Sequence, residues 1–263
     1  MLSFFLLLTF IGIYGSPSER LGVVGGRNAT EGELPYITSY EEYVGEDRNP
    51  ICGASIITKS WVITAAHCIG GTPIEKTWIH AGMIDVNDPQ AQRRQVVKTI
   101  RHDNFVQFGG DIALIKVDPP FEFNDLVQPI KVPKQDAELS SNTAILSGWG
   151  LHSFPMSDWS SILQTVELPI IPYEECMQIL EEQHESDANK YNNTVVCTGP
   201  VTGGKGACYG DSGGPLVQDG VLIGAVSWGT QPCANDGSVT IYTKVSSYID
   251  WINENIDEPI IFV

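Results

Sequence analysis

From Val23 onward the chain is broken into short runs rich in Val, Ile and Thr, each closed off by Gly, Pro, Asn or Asp. "ASIITKSWVITAA", "RRQVVKTIRH", "DIALIKVD", "TAILSGWG", "LVQDGVLIGAVSWG" and "VTIYTKV" are of this kind. β-branched side chains pack well on a pleated surface and are stiff in helices, so such runs favour strands. Their short length and even spacing predict an antiparallel barrel or sandwich, not alternating β and α units. Asp219-Gly220, between two apolar runs, is a hairpin signal. Helical spacing is clear only in "YIDWINENI", with Ile249, Ile252 and Ile256 on one side, while "PYEECMQILEEQ" is a second short candidate. The stretch "FNDLVQPIKVPK" is the candidate crossing between two halves.

At 263 residues the chain holds one large domain or two small ones with an ample core. It opens on "MLSFFLLLTFIGIYGS", an apolar run too short to span a bilayer that ends in small residues. This predicts a secretory signal peptide over residues 1–15, cut near Gly15 or Ser16, and a secreted, extracellular product. In that oxidising compartment the six cysteines read as disulfides, with fifteen possible pairings. Metal binding is disfavoured, since no C-x-x-C pair or H-E-x-x-H occurs. Asn28 in "NAT" and Asn192 in "NNT" are possible glycosylation sites. With 32 acidic against 15 basic residues the formal charge is -17, which repels phosphate backbones and anionic lipid. Nucleic acid and membrane surfaces are therefore excluded as partners.

One stretch asks for a chemical reading. "GACYGDSGGP", Gly206 to Pro215, sets Ser212 among glycines beside Asp211 and behind Cys208. A serine hydroxyl attacks poorly unless a base takes its proton. All five histidines, His67, His80, His102, His152 and His184, precede Ser212. The G-x-S-x-G elbow of α/β-hydrolases requires a histidine after the serine, so chain order excludes that fold. His67 sits in "VITAAHC", where small neighbours permit close packing and Cys68 can pin the segment. The other four have polar or loop-like surroundings and read as ordinary surface histidines. Asp111, just before the apolar run "IALIKV", would be drawn inward, and a buried carboxylate needs a partner. His67 would supply one, completing a nucleophile, base and orienting acid.

In the order His, Asp, Ser, the motifs "TAAHC", "DIALIKV" and "GDSGGP" resemble the trypsin–chymotrypsin family of serine peptidases. The resemblance runs from "VVGG" through "CGASII", "SGWG", "VSWG" and "YTKV" to "WINENI". It implies an all-β fold of two packed six-stranded antiparallel β-barrels with a C-terminal helix and the site between them. The barrels would span residues 23–130 and 131–263, after a propeptide over 16–22. The catalytic residues implied are His67, Asp111 and Ser212, with the N–H groups of Gly210 and Ser212 as the oxyanion hole. Ser227 would bond Asp111, and Ser227 and Gly229 would pair with substrate backbone beside Trp228. The family's disulfide pattern implies Cys52–Cys68, Cys176–Cys197 and Cys208–Cys233, leaving no cysteine to hold the propeptide.

Specificity follows from the same alignment. Gly206 stands where tryptic members carry an aspartate, Gly229 leaves the pocket mouth open, and Thr240 occupies the inner wall. The expectation is a neutral, shortened pocket for Leu, Met, Phe or smaller residues, closer to chymotrypsin or elastase than to trypsin. Asp236 is a candidate acid on the rim. No cofactor is implied, although Asp85, Asn87 and Asp88 in "GMIDVNDPQ" form a loop of the kind that can take calcium. In the family, the amine of a freed N-terminus, here Val23, pairs with the aspartate before the serine, here Asp211. This chain departs from the usual pattern there: "SERLGVVGG" has Gly22, not Arg, before Val23, and the nearest basic residue is Arg20. The expected protein is a secreted, monomeric serine endopeptidase made as a zymogen, acting on proteins or peptides through an acyl-enzyme and open to protein inhibitors. A catalytically silent homologue serving as a secreted binding module is the alternative.

Overall fold

The structure is a computed structural model that describes residues 23–45, 47–105, 109–151, 160–183 and 193–263. The proposed signal peptide and propeptide, His152, His184 and Asn192 lie outside the described residues.

After a two-residue strand β1 (Arg27–Asn28), the strands β2 (Ile37–Val44), β3 (Asp47–Ile56), β4 (Trp61–Thr64), β5 (Thr77–Ala81), β6 (Gln92–Arg101) and β7 (Ala113–Asp118) follow. They close into a barrel in the order β2-β3-β4-β7-β6-β5. The second half supplies β8 (Thr143–Gly148), β9 (Gln164–Ile171), β10 (Val195–Thr198), β11 (Pro215–Gln218), β12 (Val221–Gly229) and β13 (Thr240–Lys244). These run β9-β10-β13-β12-β11-β8, and pairing of β8 with β9 closes the second six-stranded barrel. All ladders between the strands are antiparallel. Asp219 and Gly220 form the β11–β12 turn with φ of 51° and 77°, the two left-handed positions of a type I′ hairpin. Among the described residues two α-helices accompany the barrels: α1 (Tyr173–Glu182) and α2 (Ile249–Asn255).

The near-continuous apolar runs are explained by burial on both faces. In β4, Val62 points into the first barrel with Tyr40, Ile56, Ile79 and Ile115. Trp61 and Ile63 point the other way, into a cluster with Leu114, Val217, Leu222, Tyr248, Ile249 and Ile252. Strand β7 divides likewise, with Ile115 and Val117 inward and Leu114 outward, beside Ile112 just before the strand. Each large aliphatic side chain buried this way contributes roughly 1.5–3 kcal/mol. The second barrel is filled by Leu146, Leu168, Val196, Leu216 and Tyr242.

The division at residue 130 needs two exceptions. Strand β1 pairs with β9, and Val23 is fully buried in the second barrel's core, so the start of the first half belongs to the second barrel. Conversely, α2 at the end of the second half packs Ile249 and Ile252 against β4 and β7 of the first. Each end of the domain clasps the barrel it does not belong to by sequence.

Three disulfides, Cys52–Cys68, Cys176–Cys197 and Cys208–Cys233, close spans of 16, 21 and 25 residues. Each is worth about 3 kcal/mol on a chain-entropy argument. Among the described residues no helix is long and apolar enough to cross a membrane.

Candidate active site

Strand β4 ends at Thr64, and a 3-10 turn over Ala66–Cys68 carries His67. Asp111 stands immediately before Ile112 and β7, at 6% exposure. Its Oδ1 accepts the His67 backbone N–H at 2.9 Å, and its Oδ2 lies 2.8 Å from His67 Nδ1. The Ser227 hydroxyl, from β12, donates to the same Oδ2, and Thr243 of β13 donates to the Asp111 carbonyl at 2.8 Å. Two barrels therefore converge on one carboxylate. Burial alone pushes the Asp111 carboxyl up, but the His67 hydrogen bond and charge, aided by Ser227, hold it below its ordinary value. An ionised carboxylate only accepts, so the ring nitrogen that faces it, Nδ1, is the donor.

The loop of Ser212 seats against the first barrel through glycine packing. The Gly53 N–H on β3 donates to the Ser212 carbonyl at 2.8 Å, and the Gly213 N–H donates to Val226 at 2.7 Å. Gly213 has φ of 72°, and a Cβ there would sit 2.6 Å from the Gly53 carbonyl oxygen and 3.0 Å from the Ala65 nitrogen. Only glycine can adopt that backbone and let the loop seat so close to the first barrel. Gly53 adjoins Cys52, whose disulfide partner Cys68 adjoins His67. Among the described contacts no hydrogen bond joins the Ser212 hydroxyl to His67; catalytic bonds often tighten only when substrate is bound. The N–H groups of Gly210 and Ser212 have no acceptor among the described residues.

Asp211 is fully buried. It accepts the Gly150 N–H at 3.0 Å and the Cys208 N–H at 2.9 Å. Gly150 makes room for it, since a Cβ there would lie 2.6 Å from Oδ2. Burial pushes the Asp211 carboxyl up to about 7 against the pull of those two N–H groups. No ion pair to Asp211 occurs among the described residues. Val23 lies in the adjoining core at φ of 49°, unusual for a β-branched residue, and Gly206 donates its N–H to Val24 at 3.1 Å.

Next to Ser212 opens a cleft of about 290 Å³ whose wall includes Ala207, Trp228, Gly229, Gln231 and Thr240. No carboxylate among the described residues lines it. Asp236, the rim candidate, is exposed and lies outside the lining. Gly206 underlies the wall: a Cβ there would meet Thr240 Oγ1 at 3.4 Å and Ala234 Cβ at 3.6 Å. Thr240 is buried, and its hydroxyl accepts the Ala207 N–H at 3.4 Å. Ala207, Tyr209 and Gln231 also line the cleft and escaped the sequence reading. The first two flank Cys208 in the serine's own loop, so their position was available; Gln231 sits in a loop whose register only the fold reveals.

Two of the remaining histidines depart from the surface reading. His80 is buried on β5, its Nε2 3.2 Å from the Tyr43 hydroxyl and 3.7 Å from Glu41. Fully buried Glu41 is itself paired with Arg48, and burial drives the His80 ring down to about 4 despite Glu41. Its surroundings come from β2, β3 and β5, which sequence neighbours do not reveal. His102 is half-buried, its ring centroid 5.0 Å from those of both Tyr248 and Trp251. In the calcium-like loop, Asp85 accepts from the Asn87 backbone and side chain, and Asp88 from the Gln90 N–H. Among the described residues the one group of ligand-type atoms close together is Cys52, His67 and Cys68, and its sulfurs are spent in a disulfide. Asn28 is exposed on β1, with its Oδ1 accepting from Gln164 at 2.6 Å.

Comparison with known proteins agrees with this geometry. The family model described as Trypsin matches residues 23–252. Kallikrein-1 of Mus musculus is 32% identical, with 97% of each chain covered. Kallikrein 1-related peptidase b3 of Mus musculus is 31% identical over 96% of each chain. By fold, by the His–Asp–Ser arrangement and by these matches, the chain belongs to the trypsin family of serine endopeptidases.

Proposed function

We propose that the protein is a secreted endopeptidase that cuts after apolar residues, Leu, Met, Phe or smaller. His67 Nε2 takes the Ser212 proton as Oγ attacks the scissile carbonyl, while Asp111 holds the tautomer and stabilises the imidazolium. The Gly210 and Ser212 N–H groups receive the oxyanion; each such donor is typically worth about 3 kcal/mol in the transition state. His67 then returns the proton to the leaving amine, and water hydrolyses the acyl-enzyme by the same steps. Substrate backbone adds as a strand along Ser227–Gly229.

The single observation that carries the specificity is a cleft lined by Thr240 and by no carboxylate among the described residues. A guanidinium or ammonium buried there would lack a counter-charge, and an unpaired buried cation is expensive. The test is digestion of a peptide library by the activated protein, with Ser212→Ala as control. Cleavage after Leu, Met or Phe is the expected result; dominant cleavage after Arg or Lys overturns it.

Activation completes the reading. The chain carries a signal peptide over residues 1–15 and a propeptide over 16–22, and a cut before Val23 frees an ammonium beside Asp211. That charge offsets the burial of the carboxylate and orders the loop holding Gly210. The reading includes a monomer that meets protein substrates and protein inhibitors, with Asn28 and Asn192 as glycan acceptors.

A further inference from the structure

Arg101 closes β6 and engages both segments that carry the catalytic pair. Its backbone lies opposite Ala113, two residues beyond Asp111, and the next residue, His102, donates its N–H to the Ile112 carbonyl at 3.1 Å. Its guanidinium turns toward the other segment, where Nη2 donates to the carbonyl of Ile69, two residues beyond His67. Ile69 caps the 3-10 turn: its N–H closes the last bond, to Ala66, at 3.3 Å, and its backbone has already left the helical region. A carbonyl at such a turn end needs a donor from elsewhere, and a charged donor is roughly twice as strong as a neutral one.

Two further features hold the guanidinium in place. It lies over the Phe105 ring at 5.2 Å, and Phe105 packs on the first barrel's core. Gly70, at φ of 95°, leaves the space open, because a Cβ there would be 3.5 Å from Arg101 Cζ and nearer still to Nη2. At Cys68, its last residue, the His67 turn is tied to β3 by the Cys52–Cys68 disulfide. On its downstream side it is tied to β6 by Arg101.

Resting on the catalytic triad proposed above, we infer that Arg101 is a positioning residue for the general base. It fixes the separation between the His67 turn and the Asp111 strand, and hence the aim of Nε2 at Ser212. It touches no substrate, so its loss should misplace the base without altering the cleft, which lies on the second barrel.

The test compares Arg101→Gln, Arg101→Lys and Phe105→Leu in the activated protein on one peptide substrate. Rates are taken per site, counted by complete titration with a serine-directed phosphonate. Arg101→Gln should lower kcat about tenfold with KM within about twofold, a fraction of the ~100-fold that a 1 Å misplacement costs. Arg101→Lys, which keeps a charged donor, should recover most of the loss. The downfield NMR resonance of the proton between His67 and Asp111 should broaden or shift in Arg101→Gln and return in Arg101→Lys. Should Arg101→Gln fail to fold, Phe105→Leu, which only removes the ring beneath the guanidinium, should lower kcat in the same sense. Unchanged kcat per site, a rise in KM alone, or a lysine variant no better than glutamine overturns the assignment. If His67→Ala stays active, the triad reading itself fails; if it is inactive while Arg101→Gln is normal, only the role of Arg101 fails.

Discussion

His67 grips both oxygens of the Asp111 carboxylate, with its backbone N–H on Oδ1 at 2.9 Å and its ring Nδ1 on Oδ2 at 2.8 Å. The ring cannot rotate without breaking the second bond, and the carboxylate cannot turn without breaking the first. Orientation is thus built into one residue pair, and Ser227 and Thr243 hold that pair from the other barrel.

Removing a member of this arrangement should remove activity without unfolding the protein. Ser212→Ala and His67→Ala are expected to abolish peptide hydrolysis, and a phosphonate should label Ser212 alone. Asp111→Asn keeps the shape but favours the wrong tautomer, so kcat should fall by about 10⁴. Turnover assays with mass-spectrometric mapping of the label check this, and labelling at any other residue would falsify the assignment.

The pocket can be deepened at one position. Thr240→Gly removes the side chain on the inner wall and the hydroxyl that accepts from Ala207. The ratio of kcat/KM for Phe over Ala substrates should rise by about tenfold or more, the usual scale for filling newly opened apolar space. An unchanged ratio would mean that another residue sets the depth.

Activation should require Val23 as the first residue. An ammonium two residues further out, in protein starting at Leu21, cannot reach a fully buried Asp211. N-terminal sequencing of active material should return Val23, and protein prepared to begin at Leu21 should be inactive. Full activity of that longer form refutes the ion pair.

Relative to the mature form, the uncut protein should lose stability as pH rises from about 4 to about 7. The opposite contribution of His80, whose ring is pushed down to about 4, is common to both forms. Asp211 has its ordinary value of 3.8 in the unfolded chain and about 7 when buried, so folding takes up a proton in that interval. At 1.36 kcal/mol per pH unit the loss from this group is on the order of 4 kcal/mol. Cutting before Val23 supplies a cation that favours the ionised carboxylate, so the contribution of Asp211 should vanish in the mature form while that of His80 persists. Melting temperatures of both forms across this range decide the matter, and parallel profiles refute it.

Much of the architecture was legible in the chain because it rests on local rules. Short runs rich in Val, Ile and Thr, the Asp219-Gly220 turn and the isoleucine spacing of α2 each report a backbone preference that neighbours in sequence enforce. The pairing of His67 with Asp111 was legible because a carboxylate drawn inward before an apolar strand needs a partner, and the small residues around His67 permit close packing. His80 was misread for the opposite reason. Its partners Tyr43 and Glu41 come from β2, so the polar residues beside it in sequence say nothing of what surrounds its ring.

What the sequence by itself determined is which segments are strands, which turns they take, and which side chains can do chemistry. Only the tertiary structure decided which of those segments meet. Val23 enters the second barrel, α2 covers the first, Gln231 reaches the cleft, and Arg101 joins the His67 turn to the strand of Asp111. These contacts span tens to hundreds of residues and are selected by the closure of two barrels and the burial of their shared face. A carboxylate such as Asp211 acquires its character there, since its burial is a property of the packed core.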